Sequence, residues 1–293
     1  MIPQPTAPAP AAIRTAWERA DVTLQSGLRI ATFSTGRRHA DGPTLLLIHG
    51  MGHWTQAAWD SLAPFFSTTH RVIAFDLPGF GVSEKPDVAY SLDFFAETVA
   101  RVIDELRLDR VALVGHSLGG LVAAVYAAAH PERVRVLGLI DPAGFVRSPA
   151  LVLKIAGSRP VVWLFGKLKP ARSFVRRTFS SAVFDPEKIS EAEHERAFEL
   201  SQDPAMRRAF ASVYANSMRA FLKIGELHAR LATYRGPVLI VWGREDRFVP
   251  IGGLASARLV YPQAGILEIQ ACGHCPNVEY PELVAARLRA EGA

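Results

Sequence analysis

Cysteine is almost absent from the 293 residues, since Cys272 and Cys275 are the only two. Two cysteines cannot supply a disulfide framework, which excludes the small disulfide-stapled folds of secreted proteins. Residues 1–12, MIPQPTAPAPAA, lack both the positive charge and the apolar run of a signal peptide. We therefore expect a cytoplasmic protein in a reducing setting, with residues 1–12 as a disordered leader rich in proline and alanine.

Long hydrophobic runs are also lacking. The apolar stretches near residue 155 are interrupted by Lys154, Arg159 and Pro160, and they fall short of the roughly 20 apolar residues that a membrane-spanning helix needs. The net charge is +5, but no nucleic-acid recognition motif accompanies it, so we expect no nucleic-acid partner. Hydrophobic residues make up 49% and charged residues 21% of the chain, which is typical of a folded globular protein.

The sequence does contain short apolar runs that alternate with helical periods. Runs such as LLLI and LIVW are typical of strands buried on both faces of a sheet. The alternation predicts an α/β fold, with a mostly parallel sheet flanked by helices. The predicted strands are residues 28–34, 44–50, 71–79, 110–117, 134–142, 237–243 and 265–270.

Helical spacing of apolar residues predicts helices over 92–107, with Ser91 or Asp93 as the N-terminal cap, and over 118–129. The segment between the strands at 134 and 237 is far too long for an ordinary crossover, yet it contains helical patterns. We expect residues 145–232 to form an inserted helical cap, or lid. The α/β core then comprises residues 13–144 and 233–293.

The motif GHSLG at residues 115–119 lies between a predicted strand and a predicted helix. A G-x-S-x-G motif in this context predicts a nucleophile, Ser117, in a strained turn where side chains at 115 and 119 would collide with backbone. A glycine-rich turn with an incidental serine, or a phosphate-binding turn, is the alternative.

The motif HGMG at residues 49–52 ends the predicted strand 44–50. Acyl-transfer chemistry needs backbone N–H groups that bind the developing oxyanion, and we predict that Met51 and Leu118 supply them. The alternative is that HGMG is only a turn after a buried strand.

These two motifs, together with DLPGFGVS at 76–83, resemble the α/β-hydrolase family over residues 28–142 and 237–291. The resemblance implies a catalytic serine, acid and histidine in that chain order. His274, after the last predicted strand, matches the histidine of the family, and Asp246 matches the acid. Asp141 remains a competing acid, because some members of the family take it from the preceding strand. A serine at 117 disfavours the dehalogenases and epoxide hydrolases of this fold, which use aspartate there.

These residues predict a serine hydrolase that cleaves small-to-medium apolar carboxylic esters through an acyl-enzyme, without a cofactor or a metal. A C–C bond hydrolase of ring-cleavage diketones, a lipase-like acylglycerol hydrolase and a cofactor-free perhydrolase remain alternatives, as does a non-catalytic binding module. The expected partner is therefore a small apolar ester; the oligomeric state does not follow from the sequence. Apolar residues of the cap are candidates to line or cover the pocket: Leu151, Leu153, Ile155, Val161, Val162, Trp163, Leu164 and Phe165.

Two further patterns have alternative interpretations. Cys272 and Cys275 have the spacing of a redox dithiol, but their position near the C-terminus disfavours that function and too few donors surround them for zinc. Reversible oxidation of this pair that disturbs His274 stays open as a hypothesis. The basic residues of 154–177 fit a solvated face; because aromatic residues interleave with them, weak contact with an anionic membrane surface through the cap is the alternative.

Overall fold

The computed structural model describes residues 15–35, 42–146, 154–155 and 158–293. The predicted leader at 1–12 lies outside these residues, as do Leu151 and Leu153. One sheet of eight strands runs through the described part of the chain. Its strands are β1 (Glu18–Thr23), β2 (Arg29–Thr35), β3 (Thr44–Ile48), β4 (Arg71–Phe75), β5 (Val111–His116), β6 (Val134–Ile140), β7 (Val238–Gly243) and β8 (Gly265–Ile269).

The strands lie in the order β1-β2-β4-β3-β5-β6-β7-β8. The pairs β1–β2 and β2–β4 are antiparallel, and every pairing from β4 to β8 is parallel. The prediction of an α/β fold with a mostly parallel sheet is confirmed. Strand β1 was not predicted from the sequence.

Eleven α-helices occur in the described residues, and helices pack on both faces of the sheet. Along β3, Leu46 and Ile48 join one apolar cluster, whereas Leu45 and Leu47 join the cluster on the opposite face. This alternation explains why the strand reads as a continuous apolar run. The helices are α1 (Thr55–Trp59), α2 (Leu92–Glu105), α3 (Leu118–Ala129), α4 (Arg159–Lys167), α5 (Arg172–Ser180), α6 (Glu191–Gln202), α7 (Pro204–Leu222), α8 (Ile224–Leu231), α9 (Gly253–Val260), α10 (Pro276–Glu279) and α11 (Pro281–Ala290).

Helix α2 begins where the sequence predicted, because the Ser91 hydroxyl accepts the N–H of Phe94 at 3.1 Å. None of the described helices combines the length and apolar character needed to cross a bilayer.

Helices α4–α8 all lie between β6 and β7 in the chain, and we call them the cap helices. Helix α7 contacts two loops at the carboxyl ends of strands. A β-carbon at Gly52, after β3, would lie 3.3 Å from Phe210, and one at Gly79, after β4, would lie 2.7 Å from Ala209. The cap helices therefore reach the sheet edge at which parallel α/β folds bind ligands. That residues 145–232 form a unit of their own stays a prediction.

Candidate active site

The predicted site residues all follow parallel strands at one edge of the sheet. Ser117 follows β5, Asp246 follows β7 and His274 follows β8, while Met51 lies in the loop after β3. Because the carboxyl ends of parallel strands meet at the same edge, residues far apart in the chain come close together there.

Ser117 occupies a strained turn between β5 and α3. Its φ is 53° and its ψ is −118°, a conformation that costs a non-glycine residue of order 1–3 kcal/mol. A β-carbon at Gly115 would overlap the carbonyl oxygen of Gly119, and one at Gly119 would overlap that of Ile48. The two glycines therefore allow α3 to begin against the ends of β3 and β5, with Ser117 at the apex.

His274 and Asp246 lie in hydrogen-bond range of this serine in one line. His274 Nε2 is 2.9 Å from Ser117 Oγ, and His274 Nδ1 is 2.7 Å from Asp246 Oδ2. The other Asp246 oxygen accepts the N–H groups of Phe248 at 2.8 Å and Val249 at 2.9 Å. His274 and Asp246 are buried, whereas Ser117 is half-buried. The arrangement suits proton transfer from the hydroxyl to the imidazole.

The backbone of His274 is fixed by two short hydrogen bonds. Its N–H donates to the carbonyl of Ala182 at 2.6 Å, and its carbonyl lies 2.6 Å from His116 Nε2. Burial lowers the pKa of His116 well below its ordinary value, so this ring is neutral and donates from Nε2. His116, the residue before Ser117, thus orients the loop that holds His274.

The predicted oxyanion donors lie beside the serine. Leu118 N–H is in the first turn of α3, where amides have no partner within the helix. Met51 follows Gly50, at which a β-carbon would lie 3.1 Å from Ser117 Cβ. His49 joins the loop of Met51 to the next loop, since its Nδ1 donates to Gly50 O at 2.7 Å and its Nε2 accepts the Leu77 N–H at 2.9 Å.

Asp141, the competing acid, lies beside the same histidine but makes no hydrogen bond to it. Its Oδ1 accepts the Gly243 N–H at 2.9 Å, and its Oδ2 is buried without a partner among the described residues. Burial first, and the charge of Asp246 second, raise the pKa of Asp141 well above its ordinary value. One atom from each of Asp141, Asp246 and His274 lies within 4.8 Å of the others. Both nitrogens of His274 face Asp246 and Ser117, so we assign no metal to this cluster.

Glu279 is a functional candidate that sequence reasoning missed. One oxygen of its buried carboxyl accepts the Gly273 N–H at 2.7 Å, and the other accepts the N–H groups of Phe184 at 2.7 Å and Asp185 at 3.4 Å. Burial raises the pKa of Glu279. The residue joins the histidine loop to the segment that follows cap helix α5. No local pattern around position 279 indicates this contact.

The two cysteines are free thiols, and both are buried. Burial raises the pKa of each thiol well above its ordinary value, which disfavours the thiolate that redox chemistry needs.

The walls near the site are aromatic, but they differ from the cap residues suggested by the sequence. The Phe179 ring is 5.3 Å from that of His53, the Phe248 ring is 5.5 Å from that of His274, and Phe210 faces Gly52. Four of the candidate lining residues face solvent instead: Ile155, Val161, Trp163 and Leu164. A separate cleft of about 480 Å³ beside β1 includes Trp17, Trp54 and Arg196 but not Ser117.

The chain matches the family model for the alpha/beta hydrolase fold over residues 43–281. It is 28% identical over 261 residues to the 2-hydroxymuconate semialdehyde hydrolase of Pseudomonas sp. (strain CF600), with 88% of each chain covered. It is 30% identical to the pimeloyl-(acyl-carrier protein) methyl ester esterase of Aeromonas hydrophila, with 84% of this chain and 93% of that one covered. Among solved structures, a bacterial membrane phospholipase A matches with a TM-score of 0.73 and 29% identity over 94% of this chain and 85% of that one.

Proposed function

The chain belongs to the α/β-hydrolase family, and from this membership we propose that it is a serine hydrolase that cleaves small-to-medium apolar carboxylic esters through an acyl-enzyme. The observation that carries the proposal is the hydrogen-bonded line from Asp246 through His274 to Ser117, with distances of 2.7 and 2.9 Å. A serine activated by an adjacent base, itself oriented by a third group, is the arrangement that nucleophilic catalysis requires.

The proposed reaction begins when His274 Nε2 takes the Ser117 proton as Oγ attacks the ester carbonyl. Asp246 accepts the Nδ1–H of His274, which fixes the tautomer of the ring, and it stabilises the imidazolium that forms. The N–H groups of Met51 and Leu118 bind the oxyanion. Donors that are fixed in position before the reaction cost no reorganisation when this charge develops. His274 then protonates the leaving alcohol, and a water activated by the same imidazole releases the acid.

The surroundings of Ser117 favour an apolar substrate. Three phenylalanines, Phe179, Phe210 and Phe248, lie around the loops that carry the site. Burial lowers the pKa of His53 to about 3 and that of His116 well below its ordinary value, so neither ring adds positive charge at neutral pH. Two of the similar proteins, the methyl ester esterase and the phospholipase A, are named for ester substrates.

A C–C bond hydrolase of ring-cleavage diketones is the second candidate. The similarity to 2-hydroxymuconate semialdehyde hydrolase favours it, and such a reaction is compatible with the same serine, histidine and acid. The two candidates differ in the bond that breaks and in the charge of the substrate.

Labelling of Ser117 and a substrate panel together test the proposal. We expect a fluorophosphonate probe to label the native protein and not Ser117→Ala, and we expect this variant to lose at least about a thousandfold in kcat/KM on a nitrophenyl ester. Ser67→Ala is the matched control, because among the described residues the Ser67 hydroxyl donates only to the carbonyl of Pro64, and it should label normally.

The panel runs nitrophenyl esters from acetate to palmitate beside one ring-cleavage diketone. Higher kcat/KM on the esters supports the main proposal, and higher kcat/KM on the diketone favours the second candidate. Unchanged labelling and turnover in Ser117→Ala would refute both.

A further inference from the structure

Exposed apolar side chains concentrate in one short stretch of the cap. Twelve large hydrophobic side chains are exposed in the described residues, and six of them fall between residues 155 and 174. Trp163 is 65% exposed and Phe174 is 59% exposed. These side chains contact little of their own protein, so packing does not explain why they are apolar. The six are Ile155, Val161, Trp163, Leu164, Leu168 and Phe174.

Helix α4 has an inner face that packs and an outer face that does not. A β-carbon at Gly166 would lie 3.6 Å from the Ala211 β-carbon on α7, and Val162, one turn earlier, is half-buried. The sequence has no polar side chain between Arg159 and Lys167. A surface helix normally presents polar residues on its outer face. The outer face of α4 presents Trp163 and Leu164 instead.

Helix α5 continues this surface. Residues 168–171 join the end of α4 to the start of α5, so Leu168 lies in this connection and Phe174 lies in the first turn of the helix that follows it. The opposite side of α5 packs inward, where the Phe179 ring stacks on that of Trp54 at 5.8 Å and Arg172 lies over the ring of Phe198. We call Trp163, Leu164, Leu168 and Phe174 the cap corner.

The segment of the chain that carries the cap corner contains charges of one sign only. Residues 154–177 contain seven lysines and arginines and no aspartate or glutamate. Arg172 and Arg176 form ion pairs with Glu195 and Glu191 of α6. Lys167 and Lys169, which flank Leu168, are exposed and have no acidic partner within the described ranges. The two lysines that lack acidic partners repel a second copy of the same face, which disfavours a symmetric dimer through it.

We propose that the cap corner binds the surface of an anionic phospholipid bilayer. Trp163, Leu164, Leu168 and Phe174 enter the boundary between headgroups and acyl chains, and Lys167 and Lys169 contact lipid phosphates. Aromatic and aliphatic side chains that protrude between basic residues match this interface in both apolar area and charge. Because the cap helices contact the loops around Ser117, the bound orientation places the site toward the membrane side.

Co-sedimentation of the full chain with vesicles tests the inference. We expect binding to vesicles of phosphatidylglycerol and phosphatidylcholine in equal parts, weakened by salt, and little binding to phosphatidylcholine alone. The double variants Trp163→Ser/Leu164→Ser and Lys167→Glu/Lys169→Glu should each lower the partition coefficient at least about tenfold. Both should hydrolyse a water-soluble ester at the parental rate, which shows that they fold.

Two matched controls distinguish binding through the cap corner from nonspecific apolar binding and from nonspecific electrostatic binding. Leu259→Ser removes an apolar side chain that is 85% exposed on α9, and Arg107→Glu/Arg110→Glu reverses two charges before β5, at the opposite edge of the sheet. Both should bind vesicles like the parent. The inference is overturned if anionic vesicles do not bind at low salt, or if the controls lose as much binding as the corner variants. It is also overturned if the corner variants abolish self-association in analytical ultracentrifugation and leave vesicle binding intact.

Discussion

Asp141 is a second carboxyl group beside the bond between Asp246 and His274. Burial and the charge of Asp246 raise the pKa of Asp141, which favours the protonated form of this carboxyl group. An atom of Asp141 already lies within 4.8 Å of both Asp246 and His274. At the scale of one residue, the site thus contains a second buried carboxyl group that the proposed reaction does not use.

When Asp246 is removed, Asp141 should replace it as the carboxylate that orients His274. In Asp246→Ala the neighbouring charge is lost, so the pKa of Asp141 falls and its carboxylate can orient His274. We expect kcat on a nitrophenyl ester to fall about ten- to a hundredfold, less than the roughly ten-thousandfold typical when the acid is lost outright. The ratio of the rate of the variant to that of the parent should rise with pH, since Asp141 must first release its proton.

The control for this prediction is a pair of Asp141 variants. Asp141→Asn keeps the acceptor for the Gly243 N–H, so we expect near-parental kcat from it. Asp141→Asn/Asp246→Ala should be at least about tenfold slower than Asp246→Ala and should show no such rise with pH. Equal rates for the single Asp246 variant and the double variant would show that Asp141 has no part in the activity.

At the scale of elements, α10 connects the histidine loop to the cap. Its last residue, Glu279, accepts N–H groups from Gly273 on one side and from Phe184 and Asp185 on the other. The Ala182 carbonyl adds a second connection by accepting the N–H of His274. A movement of this cap segment would therefore displace the backbone of the loop that holds His274.

Replacement of Glu279 should loosen both segments together. Glu279→Ala leaves three N–H groups without their acceptor, and we expect a loss of about 2–4 kcal/mol in the free energy of unfolding. Since Glu279 positions His274 and does not touch substrate, kcat should fall while KM changes little. Hydrogen exchange should speed up at the amides of Gly273 and Phe184. Glu187→Ala is the control, since Glu187 is exposed in the same segment, and it should alter none of these quantities. Faster hydrogen exchange in Glu279→Ala without a fall in kcat would limit Glu279 to a structural role.

The sequence predicts seven of the eight strands because each contains a short β-branched or aliphatic run. Strand β1 escapes prediction because five of its six residues are exposed and its place in the sheet depends on pairing with β2. The turn of Ser117 and the loop of Met51 belong to short local motifs, so both can be predicted from the sequence. The contacts of Glu279 and the unpartnered oxygen of Asp141 depend on which distant amides fold beside them, and no local pattern encodes that.

At the scale of the whole molecule, the two thiols are buried by different parts of the structure. Cys272 belongs to the apolar cluster beneath the sheet, together with Val241 and Leu288. Cys275 belongs to a small cluster with Ala182 and Val183, which lie just after cap helix α5. The core therefore protects one cysteine, while the cap segment protects the other.

If the cap opens before the core unfolds, the two thiols should react at different stages. We expect neither to react with a thiol reagent in the native protein, because burial raises the pKa of both and the thiolate is the reactive form. With increasing guanidinium chloride, Cys275, followed in Cys272→Ala, should become labelled at a lower concentration than Cys272, followed in Cys275→Ala. Labelling of Cys272 should coincide with the loss of far-ultraviolet circular dichroism. The midpoint of labelling in each variant is compared with the midpoint of its own circular-dichroism transition. This comparison corrects for any stability that the variant loses with the substituted cysteine. Coincident labelling of both thiols would mean that cap and core unfold as one cooperative unit, and Cys275 would then owe its protection to the core.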